Sequence, residues 1–254
     1  MSPRLARKPG TQPLDPSHWI ERDEKADAEI AYRRRLISER RNAVFAQTSG
    51  SEPAQAELYA ALTAHLGTDG PPDPSPLVRA GSMVQEDFCI LEQREAGAEY
   101  ILSAAILCFP SRWSLAEKIG HPLTAIHDPV PDYTDGVGKR VNRLFEAIKP
   151  AHPLWRANWT VHSSDELHQP SDDFRAASDP NAPLYIRVER QTFIRLPKTQ
   201  AVIFGIRTYI DPLTTLSRDE AAGLHAALSE LTEDEVEYRG GEAMHRAALD
   251  QTAE

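Results

Sequence analysis

The sequence predicts an α+β fold built on one antiparallel sheet. Three observations carry that reading. Two β-rich runs, at 85–93 and 99–109, are separated by a short Gly-containing stretch. A strand-poor, partly helical segment follows. Three more β-rich runs, at 154–162, 185–196 and 201–210, close the series, and helical patterns flank it on both sides.

The elements follow in order. The opening to residue 17 is Pro-rich and predicts a loosely docked arm. Residues 20–47 read as one long helix, acidic early and carrying Arg33, Arg34, Arg35, Arg40 and Arg41 later, a polarity that suits the helix dipole. We read this Arg cluster as a solvated helix face. A second helix over 53–66 stops at Gly67, and the Pro-rich stretch 70–76 separates the helical layer from the main body. Residues 95–98 turn the first hairpin, and Pro110 ends its second strand. Residues 113–119 predict a short helix. Three prolines within 121–133 (Pro122, Pro129, Pro131) leave room for one helical turn at most. Val137, Val141, Leu144, Phe145 and Ile148 recur at helical spacing over 135–148.

The third β-rich run alternates. Trp155, Ala157, Trp159 and Val161 share one face; Arg156, Asn158, Thr160 and His162 share the other. A polar loop spans 163–183. Residues 197–200 turn the fourth strand into the fifth. Ser217 with Glu220 forms a capping-box pattern, and residues 238–241 interrupt the helical tail. The order predicts a five-stranded antiparallel sheet with inserted helices on one face, a PAS-like arrangement. Its parts are an N-terminal arm and helical layer (1–76), a core (77–215) and a C-terminal helical extension (216–254), forming one compact unit.

Composition excludes several classes. The 28 Lys and Arg against 38 Asp and Glu leave a net charge of −10, unlike a protein that tracks nucleic-acid phosphates. Two cysteines, Cys89 and Cys108, are too few for a disulfide framework or a cysteine-held cluster. The sequence has no apolar run long enough for a membrane span and opens without a secretion signal, so a cytoplasmic setting is expected. Phosphate-loop, nucleophile-elbow and zinc-helix motifs do not occur.

Chemistry concentrates on two strands. Arg190 interrupts the apolar face Ile186, Val188, Thr192, Ile194, so its guanidinium needs an anionic partner. Tyr185, Arg187, Glu189, Gln191 and Phe193 form the other face, where Arg and Glu could also simply pair across strands. Arg207 shares a face with Ile203, Gly205 and Tyr209, and Gly205 leaves space for a ligand or a bulge. Among the nine histidines, His127 stands in a proline-stiffened stretch suited to holding an imidazole rigidly. His162, on the polar face of its strand, is the second choice.

Several blocks resemble the haem-dependent oxidative N-demethylase family. They are Lys118-Ile119-Gly120-His121, Ile126-His127-Asp128-Pro129-Val130-Pro131-Asp132-Tyr133, Arg140-Val141-Asn142-Arg143, Trp155-Arg156-Ala157-Asn158-Trp159, Arg187-Val188-Glu189-Arg190-Gln191-Thr192, Arg195-Leu196-Pro197 and Phe204-Gly205-Ile206-Arg207-Thr208-Tyr209. The resemblance runs from about Trp19 to Tyr238. It implies a haem b (iron) in a PAS-like domain and a monooxygenase acting on a small secondary amine such as dimethylamine. The products are a primary amine and formaldehyde; dioxygen is the co-substrate. Electrons come from a separate reductase or ferredoxin-type partner. The resemblance also implies His127 as the axial metal ligand, Arg190 and Arg207 as cofactor-binding residues, and Arg187, Glu189 and Arg190 as catalytic ones. No nucleic-acid or membrane partner is expected. A haem or small-molecule sensor or binding protein without turnover is the first alternative, and a ligand-free interaction or scaffold subunit of the same family is the second.

Overall fold

A computed structural model describes residues 10–95, 97–127, 135–171, 179 and 182–253, and the side chains of these except at 127 and 135–140. In chain order come β1 (Gln12–Pro13), α1 (Ala26–Glu39), α2 (Arg41–Val44), β2 (Phe45–Gln47), α3 (Glu52–Leu66), α4 (Pro76–Gly81), β3 (Asp87–Glu92) and β4 (Ile101–Ile106). Then follow α5 (Leu115–Lys118), α6 (Leu123–His127), α7 (Asp135–Ala147), β5 (Leu154–His162), β6 (Tyr185–Arg195) and β7 (Val202–Pro212). Helices α8 (Arg218–Ser229), α9 (Glu233–Arg239) and α10 (Gly241–Thr252) close the chain.

The sheet is antiparallel and has seven strands, in the order β1-β5-β6-β7-β3-β4-β2. The expected five strands form its middle. The two additions are short edge pieces from the N-terminal region. Gln12 and Pro13 pair with the start of β5, and Phe45–Gln47 pair with β4. The expected single helix over 20–47 is therefore shorter. It breaks at Arg40, whose φ of −133° is not helical, and the chain then leaves for the sheet edge.

Helices cover both faces rather than one, because the central strands are apolar on both sides. On the first face, Phe88, Ile90, Ala104, Ile106 and Ile203 join Leu36, Leu58, Leu62 and Val78 from α1, α3 and α4. Beside them, Trp159, Val161 and Ile186 pack on Leu224, Leu228 and Met244 of the C-terminal helices. On the second face, Cys89, Leu102, Phe193, Val202 and Ile206 meet Leu115, Leu123 and Phe145 of α5, α6 and α7. No helix among the described residues is long and apolar enough to cross a membrane.

Local signals place the ends. Gly67 caps α3 in the left-handed region at φ 66°, with its N–H donating to Thr63. Ser217 and Glu220 form the expected capping box, and Thr232 with Glu235 repeats it at α9. The Arg cluster corrects one expectation: Arg33 is no part of a solvated face. It is 0% exposed and paired with Asp87 at 2.6 Å.

Candidate functional site

β6 and β7 pair without a register shift along their whole length, so alternation assigns every side chain to a face. Arg190 lies directly opposite Arg207 on the first face. Glu189 lies opposite Thr208 and Asn158, and Arg187 opposite Thr160, all on the second face. The four charged residues singled out on β6 and β7, with His162 of β5, therefore split. Arg187 and Glu189 stay together, with His162 on the same face; Arg190 and Arg207 belong to the other.

On the first face the anions that Arg190 requires come from the chain itself. Its Nε pairs with Glu21 at 2.9 Å, and its other nitrogens donate to the carbonyls of His18 and Trp19. Arg207, 1% exposed, pairs with Asp23 at 2.6 Å and Glu29 at 2.9 Å. Two like charges directly opposite on a sheet repel; three carboxylates from the segment before and within α1 offset that cost. Gly205 likewise opens no ligand space, because a Cβ there would stand 2.5 Å from Thr192 Oγ1 and 3.6 Å from the Phe88 ring.

On the second face, Arg187 is fully buried. It donates to the carbonyls of Phe109 at 2.6 Å and Leu167 at 3.2 Å, and its Nε stands 3.5 Å from Glu189 Oε1. It thus pins two connections, after β4 and after β5, onto the sheet. Glu189 keeps 15% exposure and also accepts from Gln191 Nε2 at 3.0 Å. Arg156 Nε donates to Gln191 at 2.7 Å, which ties β5 into the same row.

His162 is buried at the end of this face. Gln169 Nε2 donates to the Glu166 carbonyl at 2.7 Å, so its Oε1 faces His162 Nδ1 at 2.9 Å. A carboxamide oxygen only accepts, so Nδ1 carries the proton. Nε2 then holds a lone pair that accepts from Thr160 Oγ1 at 2.7 Å. Burial, helped by the nearby Arg112 and Arg187 charges, lowers its pKa to about 3 and keeps the ring neutral. His127 ends α6; its side chain and residues 128–134 lie outside the described residues. Among the described residues, no group of three or more His, Cys, Asp or Glu could hold a metal ion together.

Sequence reasoning missed three participants. Gln169 sits in a polar loop with no pattern to mark it. His168 stands in the same polar loop, yet it is buried and donates from Nδ1 to the Cys108 carbonyl at 2.8 Å. Glu86, just before β3, is buried, and its Oε1 accepts from the Glu21 N–H at 2.9 Å. The run Gln85-Glu86-Asp87 at the mouth of an apolar strand was its only signal.

Fold and site define an α+β protein whose helix-covered sheet carries, on its second face, a buried arginine paired with a part-exposed glutamate, and a neutral buried histidine. A family model described as haem-dependent oxidative N-demethylase, alpha subunit-like, matches residues 10–72 and 67–249. The chain belongs to that family, one of haem-dependent oxidoreductases by its description.

The second face fits a haem by its donor set. Phe204, Ile206 and Cys89 give apolar surface and Arg156 gives a cation, whereas Arg187 is already paired with Glu189. His162 has the state metal ligands share, a neutral ring with the distal N–H anchored on an acceptor. The first face fits poorly, because the guanidinium groups of Arg190 and Arg207 are already matched to carboxylates.

Proposed function

We propose that this chain is the haem-binding subunit of an oxidative N-demethylase acting on a small secondary amine such as dimethylamine. The family match over 10–249 carries this reading. The amine, dioxygen, two electrons and two protons give the primary amine, formaldehyde and water. A haem b would supply the redox chemistry on dioxygen. The chain's residues would bind and orient. His127, or His162 once the Thr160 hydroxyl turns away, would ligate the iron. Arg187 would hold the two connections that wall the face. Glu189, the exposed member of the Arg187 pair, would hold the alkylammonium; the helices α5, α6 and α7 would keep water off it. The carbinolamine formed at the methyl carbon collapses to formaldehyde without further help.

Two features support the finer points. The five long strands run third, fourth, fifth, first, second, with the helical insert between second and third, which supports a PAS-like core. Both cysteines are buried, and burial raises both thiols, so thiolate clusters are disfavoured and electrons would come from a separate reductase or ferredoxin-type protein.

The test is hemin titration followed by formaldehyde release from an amine panel with reductant and oxygen. A Soret band with turnover is expected. His127→Ala and His162→Gln, compared by Soret position and haem content, identify the ligand. Failure to bind hemin overturns the proposal. Tight binding without formaldehyde favours the sensor alternative.

A further inference from the structure

At the opposite end of β6, about 26 Å along the strand from Arg187, residues 92–95 after β3 and 199–201 between β6 and β7 border an open pocket of about 250 Å³. That volume lies below the usual range for drug-sized ligands, roughly 300–1,000 Å³, and suits a molecule of a few heavy atoms. Its lining includes Glu92, Arg94, Glu95, Tyr100, Arg195 and Gln200.

The floor offers donors. A guanidinium has five N–H groups. Arg195 Nε donates to the Ile148 carbonyl at 2.7 Å, Nη1 to the Gln200 carbonyl at 2.7 Å, and Nη2 to Tyr100 Oη at 2.9 Å and to the Phe145 carbonyl. One N–H on Nη1 is uncommitted. Tyr100 is buried, and its hydroxyl accepts from Arg195, which leaves its own proton to donate. The rim offers acceptors. Glu92 spends Oε2 on Ser103 and keeps Oε1, and Glu95 is exposed beside it. Gln200, in the left-handed region at φ 60°, aims the turn carbonyl that clamps Arg195. Buried donors on one side and carboxylates on the other select a ligand carrying both charges, and the two guanidinium and two carboxylate groups sum to no net charge.

We propose that this pocket binds a small zwitterion, an α-amino acid of glycine or N-methylglycine size. The carboxylate meets Arg195 and Tyr100; the ammonium meets Glu92 and Glu95. The site lies at the far end of the same sheet face as Arg187 and does not depend on the haem assignment.

Calorimetry on the full chain with glycine and N-methylglycine tests it, with acetate and dimethylammonium as half-ligands. Both amino acids are expected to bind, and each half-ligand at least about tenfold more weakly. Glu92→Gln and Tyr100→Phe, each checked for an unchanged fold by circular dichroism, are expected to weaken binding by about tenfold. Two conservative variants guard against misfolding of either. Equal binding by acetate or dimethylammonium alone, insensitivity to both variants, or no heat with either amino acid overturns the proposal.

Discussion

Arg33, Arg187 and Arg207 are buried to 1% exposure or less, yet each has partners, because an unmatched buried guanidinium costs several kcal/mol. Glu86 is the contrasting case. Its carboxyl is buried, Oε2 finds no partner, and burial raises its pKa to about 7 despite the nearby Arg207 and Arg33. The sign follows from linkage. Between the ordinary carboxylate pKa of 4.5 and about 7, the unfolded state has lost this proton and the folded state still holds it. Stability therefore falls as pH rises through that window, by an amount on the order of 3 kcal/mol. Glu86→Gln keeps the oxygen that accepts from Glu21 and cannot ionise. Urea unfolding between pH 5 and 8 should show a flatter pH dependence in this variant and higher stability at pH 8. An unchanged slope would place the proton elsewhere.

At the scale of elements, lengths and capping were legible where they depend on nearby residues. The strand over 154–162, the helix stop at Gly67 and the Ser217–Glu220 box are local patterns, and each stands as read. What depends on distant chain was not legible. Phe45–Gln47 leaves the expected helix because β4 offers an unpaired edge, and nothing within 20–47 encodes that edge. Arg190's need for an anion was legible from its apolar neighbours; that Glu21 supplies it was not. Gly205 shows the same limit, since its missing side chain makes room for Thr192 across the strand pair rather than for a ligand. Gly205→Ala should cost roughly 1–3 kcal/mol by overpacking. In a Thr192→Ala background the colliding hydroxyl is gone, and the same change should cost less than about 0.5 kcal/mol. A double-mutant cycle in urea reads the difference. Equal costs in both backgrounds would mean that strand conformation, not the Thr192 contact, demands glycine.

The whole molecule divides labour between the two sheet faces. The first face is closed by the chain's own N-terminal segment, clamped through Arg190 to Glu21 and through Arg207 to Asp23 and Glu29. The second carries Arg187, Glu189 and His162 against the connections at Phe109, Leu167 and Gln169, with α5, α6 and α7 packed on its apolar part. Substitutions on the two faces should therefore separate in what they damage. Arg207→Gln strands the largely buried Glu29 and should cost about 3–5 kcal/mol. Arg190→Gln takes the cation from Glu21, which is 39% exposed and still accepts from Tyr209, and loosens the contacts to the His18 and Trp19 carbonyls, so it should cost about 1–3 kcal/mol. Both should leave hemin affinity within about threefold of the parent, since neither guanidinium has an uncompensated charge to offer a propionate. Glu189→Gln keeps the Gln191 contact but takes the paired carboxylate from the buried Arg187, so it should cost about 1–3 kcal/mol while raising KM for the amine. Paired urea and hemin titrations, with formaldehyde kinetics for Glu189→Gln, check all three. If Arg190→Gln loosened haem without lowering stability, the first face would be the cofactor face and the division would be reversed.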